Sequence, residues 1–283
     1  MNSIARDRLR GLMWSNKCRG RLEDYDNWNQ QLSNQDRGTI LTVDKKVSKN
    51  HRIRDEVIGG AKHRLGWGSY KWKYNEDVIN QVTESGLVLI DTAESYGYGK
   101  VETELGKIYS RTGCKAKIAT KVARNHMSKS AVINAGLRSR DRLKVSSIFL
   151  YQIHWPNYEG GPSVEQTCEG LAELLDNGTV LHVGVSNHSL GQITAVRRCL
   201  MSLGYDLSSV QVRLNSNDLG ACESILPYCK SVGMLTLGHS TLDQGRLRKT
   251  ASEAFTEASR WVDIPLVGTN NPDHIAELTK KPH

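Results

Sequence analysis

Short apolar runs alternate along the chain with segments in which apolar residues recur every three or four positions. The clearest apolar run is Leu87-Val88-Leu89-Ile90, which leads directly into Asp91. An unbroken run of this kind indicates a strand buried on both faces, as in a parallel sheet covered by helices. Residues 100–110 then have the periodicity of a helix, and Gly113 ends it. This stretch therefore predicts a strand followed by a helix.

The same unit recurs to the C-terminus. The predicted strands cover residues 65–71, 87–91, 116–122, 147–154, 180–185, 208–214, 234–239 and 264–267. The predicted helices cover residues 75–85, 100–110, 128 or 130–138, 163–177, 189–203, 221–231, 252–262 and 271–280. A closed (β/α)8 barrel requires this number of pairs. We therefore predict an α/β fold, a TIM barrel over residues 59–283, preceded by an N-terminal extension over residues 1–58.

Four side chains with acid–base chemistry lie where predicted strands end. Asp91 ends the second strand and Tyr96 lies on the loop after it, whereas Lys121 and His154 lie near the ends of the third and fourth strands. The carboxyl ends of barrel strands form the face where chemistry takes place. The residues alone also allow a simpler interpretation, in which Asp91 caps a turn and Tyr96 only packs.

A buried lysine is costly unless an acid supports it, and Asp91 can support Lys121. We expect Lys121 in turn to lower the pKa of the Tyr96 phenol from its reference near ~10. Tyr96 would then be a proton donor, and His154 a second hydrogen-bonding group for a substrate oxygen. The four residues together predict acid–base chemistry on an oxygen-containing substrate.

This constellation resembles the aldo-keto reductase family. The matching segments, in the family's order, are Asp91-Thr92-Ala93-Glu94-Ser95-Tyr96-Gly97, Thr120-Lys121-Val122, Leu150-Tyr151-Gln152-Ile153-His154-Trp155-Pro156-Asn157 and Val183-Gly184-Val185-Ser186-Asn187. The resemblance runs from about residue 65 to about residue 280. It implies a (β/α)8 barrel, a nicotinamide cofactor and reduction of an aldehyde or ketone to an alcohol. It also implies a catalytic tetrad of Asp91, Tyr96, Lys121 and His154.

The resemblance further implies a cofactor site, for NADPH in most members, with NADH also possible. Its glycine-containing first strand would pass beside the nicotinamide ribose, a Ser-Asn-Gln set would hold the carboxamide, and the last helix would begin at the adenosine phosphate. The residues implied are Gly68, Ser69, Asp91, Ser186, Asn187, Gln211, His239, Ser240, Leu242, Asn270 and Asn271. From the residues alone, the favoured interpretation of Gln211 is a polar side chain satisfied inside the barrel.

Several positions depart from the family pattern at the cofactor end. His239 replaces an aromatic residue that stacks on the nicotinamide, and Asn270 lies where a Lys or Arg often pairs with the 2′-phosphate. Leu278 replaces an Asn that contacts adenine, and the segment between His239 and Pro265 is short for the family. We therefore expect only a modest preference for NADPH. The complete tetrad favours an enzyme, whereas the altered cofactor end favours an alternative, a binding or scaffold protein that retains the fold.

Composition limits the classes of partner that the sequence predicts. The net charge of +8 is spread along the 283 residues, which suits an anionic ligand, but no basic-aromatic stripe predicts a nucleic-acid partner. No apolar run approaches the ~18 residues of a membrane span. The six cysteines lack metal-type spacing, so we predict no metal site and reduced thiols in a cytoplasmic protein. A small-molecule carbonyl substrate and a monomer by default complete the prediction.

The N-terminal extension is basic at its start. Arg6, Arg8 and Arg10 precede most of its acids, which is typical of an organellar transit segment. Equally, it can be a solvated extension that Trp14 and Trp28 pin to the barrel. Both interpretations stay open at this point, and the transit interpretation would place the protein in an organelle.

Overall fold

Eight short strands form one closed barrel, in which each strand pairs in parallel with the strand before it and the strand after it. The computed structural model describes residues 53–59, 61, 64–245 and 249–280. The predicted (β/α)8 TIM barrel is confirmed. Most of the predicted extension, including the arginines of the transit interpretation, lies outside the described residues.

The strands are β1 (Gly66–Gly68), β2 (Leu89–Asp91), β3 (Lys117–Val122), β4 (Ile148–Ile153), β5 (Val180–Ser186), β6 (Ser209–Arg213), β7 (Leu235–His239) and β8 (Ile264–Val267). The helices of the described residues are α1 (Ile53–Ile58), α2 (Glu76–Glu84), α3 (Lys100–Thr112), α4 (Lys129–Leu143), α5 (Val164–Asp176), α6 (Leu190–Ser202), α7 (Ile225–Ser231), α8 (Ala251–Ala258) and α9 (Pro272–Lys280). Short 3₁₀ turns occur at Tyr96–Gly99, Gly220–Cys222 and Asp243–Gly245.

Successive strand residues supply two different apolar clusters. Leu89 and Leu150 belong to a cluster inside the barrel, whereas Ile90 and Ile153 belong to the larger cluster under the surrounding helices. Side chains alternate between the faces of a strand, so a strand buried on both faces must be apolar throughout. This requirement explains why the strands read as unbroken apolar runs. A polar residue within such a run is therefore an exception, and it marks a position where a role other than apolar packing is expected.

Helix α1 closes the barrel at the amino ends of its strands. Its buried residues Ile53 and Val57 join the cluster inside the barrel. The Arg54 guanidinium donates to Asp263 Oδ2 at 2.7 Å, just before β8. Residues 53–58, which were predicted to belong to the extension, pack as part of the barrel. They lie at the end opposite the strand termini that carry Asp91 and His154.

Helix α4 is longer than its apolar pattern predicts. The prediction ended it at Arg138, but the helix continues to Leu143. The added turn is polar except for the buried Leu143 and lies against α3, where the Arg142 guanidinium donates to the buried Glu102 carboxylate at 2.7 Å. The other carboxylate oxygen of Glu102 accepts from Thr120 Oγ1 at 2.6 Å. Periodicity missed this turn because Leu143 is its one apolar residue, and an ion pair holds the rest of its inner face.

Candidate active site

The centre of the candidate site is an ion pair between two neighbouring strands. Pairing of β2 with β3 places Asp91 beside Ala119, and Lys121 lies two residues further along β3. Lys121 Nζ donates to Asp91 Oδ2 at 2.6 Å and to the Thr92 carbonyl oxygen at 2.9 Å. The lysine is 1% exposed. Burial alone would lower the pKa of Lys121, but Asp91 and Tyr96 outweigh it and raise that pKa above its usual range. The lysine is therefore charged.

The second oxygen of Asp91 is held by two glutamines from across the barrel. Gln211 Nε2 donates to Asp91 Oδ1 at 2.8 Å, and Gln152 Nε2 donates to it at 3.4 Å. Gln211 is thus satisfied inside the barrel, as the residues alone indicated. No role was predicted for Gln152 from the sequence. The period of a strand was the available signal, because Gln152 precedes His154 by two residues and faces the same side.

Tyr96 lies beside this pair, with its ring centroid 5.4 Å from Lys121 Nζ. The expected lowering of its pKa is wrong. Burial raises the pKa of Tyr96 above 10.0, and it does so by more than Lys121 lowers it. Removal from water penalises the phenolate more than one nearby ammonium group stabilises it. Tyr96 is therefore a neutral phenol that keeps its proton.

His154 completes the group. Its ring centroid lies 5.8 Å from that of Tyr96, and its Nδ1 lies 3.3 Å from the Ser95 hydroxyl. Burial and then the charge of Lys121 lower the pKa of His154 to about 3. The structure thus brings together all four residues of the predicted tetrad, with His154 neutral. The contact with Ser95 was not predicted, although Ser95 adjoins Tyr96 in the chain.

The predicted carboxamide residues already hydrogen-bond one another. Asn187 Nδ2 donates to the His154 carbonyl oxygen at 3.0 Å and to Ser186 Oγ at 3.1 Å. Because its nitrogen is the donor, Asn187 Oδ1 is the acceptor for His239 Nε2, 3.0 Å away. Burial and the charge of Lys121 lower the pKa of His239 to about 3, so the ring is neutral with its proton on Nε2. His239 Nδ1 then accepts from Ser240 Oγ at 3.0 Å.

The first strand leaves space at the mouth of the barrel. A Cβ built on Gly68 would meet no atom within 4 Å, so the space beside this residue is open. The next residue, Ser69, is fully buried and donates to the Asp91 carbonyl oxygen through both its amide and its hydroxyl. The strand therefore offers bare backbone next to the tetrad. This geometry fits a flat ring or a ribose that must approach closely.

A separate cavity of about 370 Å³ lies between the loop after β7 and the last two helices. Leu242 borders it, as do His274 of α9 and Lys249. Neither of these two basic residues was predicted as a cofactor residue, and no family motif marks them. The Lys249 ammonium is paired with Glu257 at 2.6 Å.

The three remaining cofactor-end residues have intramolecular roles. The Asn271 side chain accepts from the amide of Asp273 at 3.0 Å and so caps α9. Asn270 bonds through both polar atoms to the backbone of the loop after β1. Leu278, where the family often has Asn, is buried in the apolar core. The start of α9 thus lacks a cationic side chain at the position expected to contact phosphate.

The arrangement can donate a proton and stabilise negative charge on an adjacent oxygen. The groups able to do so are a neutral phenol, a charged buried ammonium and a neutral imidazole. Within the described residues, no group of three His, Cys, Asp or Glu side chains is arranged to hold a metal ion. No helix in the same part of the chain has both the length and the apolar character of a membrane span.

Comparison with known proteins gives consistent similarities. The model of the Aldo/keto reductase family matches residues 57–263. Over 210 residues the chain is 31% identical to aldo-keto reductase YhdN of Bacillus subtilis (strain 168), covering 71% of this chain and 60% of that protein. It is 30% identical over 203 residues to the chloroplastic pyridoxal reductase of Arabidopsis thaliana, covering 64% of this chain and 56% of that protein. The chain thus spans less than two thirds of both relatives.

Solved structures share the architecture. An aldo-keto reductase from Klebsiella pneumoniae, crystallised in complex with NADPH, superimposes with a TM-score of 0.67 at 20% sequence identity. The superposition covers 77% of this chain and 84% of that one. At this identity the likeness concerns the barrel fold.

The buried pair predicts a large stability effect for Asp91→Asn. The substitution leaves the Lys121 ammonium buried without its counter-charge, so we expect the free energy of unfolding to fall by ~3–5 kcal/mol. Urea denaturation followed by circular dichroism measures it. Asp141→Asn is the matched control, because Asp141 pairs with Arg140 on the surface and should change stability by less than about 0.5 kcal/mol. Equal effects at the two positions would contradict a stabilising buried pair.

Proposed function

Because the chain belongs to the aldo/keto reductase family, we propose that it is an NADPH-dependent oxidoreductase that reduces an aldehyde or a ketone to an alcohol. The observation that carries the proposal is the buried Lys121–Asp91 pair beside the neutral Tyr96 phenol. A small-molecule substrate and a cytoplasmic location are part of the proposal. The grouping of this pair with Tyr96 and His154 supports an enzyme over the alternative of an inactive scaffold, which would not require the four side chains at one point.

Tyr96 is the proton donor in this proposal. Its raised pKa keeps the phenol protonated at neutral pH, so the proton is available when negative charge develops on the substrate oxygen. Once the proton has left, the phenolate is adjacent to the Lys121 ammonium, which stabilises it electrostatically. Lys121 therefore acts on the charged product of the proton transfer, and Asp91 holds the ammonium in place.

His154 orients the carbonyl group. A neutral ring that accepts the Ser95 hydroxyl proton at Nδ1 carries its own proton on Nε2. Nε2–H can then donate to the substrate oxygen that Tyr96 protonates, so the two donors converge on one atom. Trp155, stacked on His154 with 6.2 Å between ring centroids, extends the site toward solvent.

The mouth of the barrel fits a nicotinamide cofactor. Bare backbone at Gly68 leaves room for a ribose, and the Ser186 hydroxyl, the Gln211 side chain and the neutral His239 ring surround the place for a carboxamide and a flat ring. When bound, the reduced nicotinamide supplies the hydride for the carbonyl carbon. The cavity between Leu242 and α9 would take the adenosine end. The NADPH in the Klebsiella enzyme of the same fold supports this cofactor.

Removal of the proton donor tests the proposal directly. Tyr96→Phe deletes one hydroxyl and should lower kcat for reduction of 4-nitrobenzaldehyde by ~10²-fold or more. The Kd for NADPH, measured by fluorescence quenching, should stay within about twofold, since the phenol acts on the carbonyl substrate. Unchanged reduction by the variant would exclude Tyr96 as the acid, and a wild-type protein that reduces no aldehyde would exclude the function.

The pKa values predict an unusually flat pH profile. The pKa of His154 is about 3, so its ring is neutral at any pH well above 3. The pKa of Tyr96 is raised above 10.0, so its phenol is still protonated in mildly alkaline solution. We therefore expect kcat/KM for aldehyde reduction to vary less than about twofold between pH 5.5 and pH 9. It should fall only when rising pH ionises Tyr96. A steady-state profile with a limb near the ordinary imidazole pKa of about 6.5 would show that His154 titrates as an exposed group.

Cofactor choice follows from the neutral start of α9. The helix N-terminus attracts an anion, but a neutral side chain binds phosphate less strongly than a cation does. We expect NADPH to be preferred over NADH by about tenfold in Kd, or ~1.4 kcal/mol. Fluorescence titration with both cofactors measures the ratio. A preference for NADPH above about a thousandfold would contradict this expectation. It would require cationic side chains at the 2′-phosphate, and Asn270 supplies none.

A further inference from the structure

The loop after β1 has a backbone that needs support. Within residues 69–75, Lys71 has a φ of 61° and Tyr74 a φ of 59°. Side chains other than glycine rarely adopt this left-handed region, and each such residue costs on the order of 1 kcal/mol or more. A loop with two of them keeps its shape only where surrounding contacts hold it. Contacts that help to hold it come from Trp72, which is buried in the barrel, and from Asn270, near the end of the chain.

Trp72 anchors the loop to the apolar core. Its side chain is 4% exposed and packs edge to face on Trp67, with 5.7 Å between ring centroids. The Trp72 indole donates to the Asn75 carbonyl oxygen at 3.1 Å, which closes the loop at the start of α2. This anchor holds the middle and the end of the loop. The one indole N–H is used on Asn75, so it is not available to the backbone groups of the neighbours Lys71 and Lys73.

Those two residues are held by Asn270. Its Oδ1 accepts from the Lys73 amide at 2.8 Å, and its Nδ2 donates to the Lys71 carbonyl oxygen at 3.1 Å. One side-chain amide thereby pairs with one donor and one acceptor of the loop backbone, as a neighbouring strand would. The Trp67 indole ties the same segment to β1 by donating to the Thr269 carbonyl oxygen at 3.1 Å. The segment before α9 and the loop after β1 are therefore one clamped unit.

Tyr70 is the residue that this clamp presents to the tetrad. It precedes Lys71, is 56% exposed, and its ring centroid lies 5.3 Å from that of Tyr96. Lys71 Nζ lies 5.4 Å from the Tyr70 ring. The exposed Trp155 ring stacks on His154, whose ring in turn neighbours that of Tyr96. An apolar substrate at the tetrad would therefore have aromatic rings beside it.

We propose that Asn270 is a positioning residue that holds Tyr70 as a wall of the carbonyl site, and that this wall serves aromatic carbonyl substrates. The proposal rests on the proposed reductase function. It assigns Asn270 to the substrate side through the loop, rather than to the cofactor phosphate. It also accounts for the uncharged residue at this position, because a Lys or Arg cannot supply both the donor and the acceptor that the loop backbone requires.

The test compares Asn270→Ser, Tyr70→Ala and the double variant. A serine is too short to bridge Lys71 and Lys73, so we expect KM for 4-nitrobenzaldehyde to rise about tenfold, with kcat changed less than about threefold. KM for propanal, which has no ring to pack on Tyr70, and Kd for NADPH should stay within about twofold. If Asn270 acts through Tyr70, the double variant is no worse than Tyr70→Ala alone.

Asn75→Ser is the matched control, because Asn75 ends the same loop as the N-cap of α2 and serine caps equally well. It should leave every constant unchanged. A tenfold rise in Kd for NADPH with KM for the aldehyde unaltered would show that Asn270 binds the cofactor, and additive losses in the double variant would show that it does not act through Tyr70. Either result overturns the proposal.

A second measurement does not depend on activity. Hydrogen exchange, followed by mass spectrometry, should be about tenfold faster in Asn270→Ser for the peptide covering residues 69–75, and unchanged in Asn75→Ser. Unaltered exchange in Asn270→Ser refutes the clamp even if the enzyme is active. If the wild-type protein reduces no aldehyde while exchange behaves as expected, the reductase function and the substrate wall fail and the clamp alone is supported.

Discussion

The buried pair of Lys121 and Asp91 is the interaction on which the candidate site depends. An ammonium group with 1% exposure is tolerated only where a counter-charge and hydrogen bonds compensate for the lost water. Asp91 supplies the charge, and Gln152 and Gln211 fix its other oxygen. One carboxylate therefore joins side chains from β2, β3, β4 and β6, which only a closed barrel brings to one point. This part of the site is rigid because Asp91, Lys121 and the two glutamines stand on strands rather than on free loops.

The same burial decides how the site works. Burial makes the Asp91 counter-charge necessary for Lys121. It also keeps His154 neutral and raises the pKa of Tyr96 despite the adjacent lysine. Lys121 consequently has a different role from the one that a lowered tyrosine pKa would give it. In the proposed reaction it stabilises the phenolate after the proton has moved, which favours the charged state reached late in the reaction. The ground state keeps a protonated donor.

At the cofactor end, the positions that depart from the family pattern have acquired partners within the chain. His239 is held by Asn187 and Ser240, so its neutral ring has a defined plane. Asn270 has both polar atoms on the loop after β1, and Leu278 is in the core. These contacts make the altered end a well-packed part of the barrel. A cofactor would therefore meet a site that has fewer charged side chains than the family pattern but whose side chains are ordered.

The sequence by itself determined the alternation of eight strands and helices and the placement of Asp91, Lys121 and His154 at strand ends. The spacing of apolar residues and the positions of glycine and proline depend on residues that are close in the chain, so the sequence alone shows them. The tertiary structure alone decided the sign of the Tyr96 pKa shift, the last turn of α4, and the bonds from Gln211 to Asp91 and from Asn270 to Lys71. Burial and contacts between residues more than a hundred positions apart arise only once the barrel has closed.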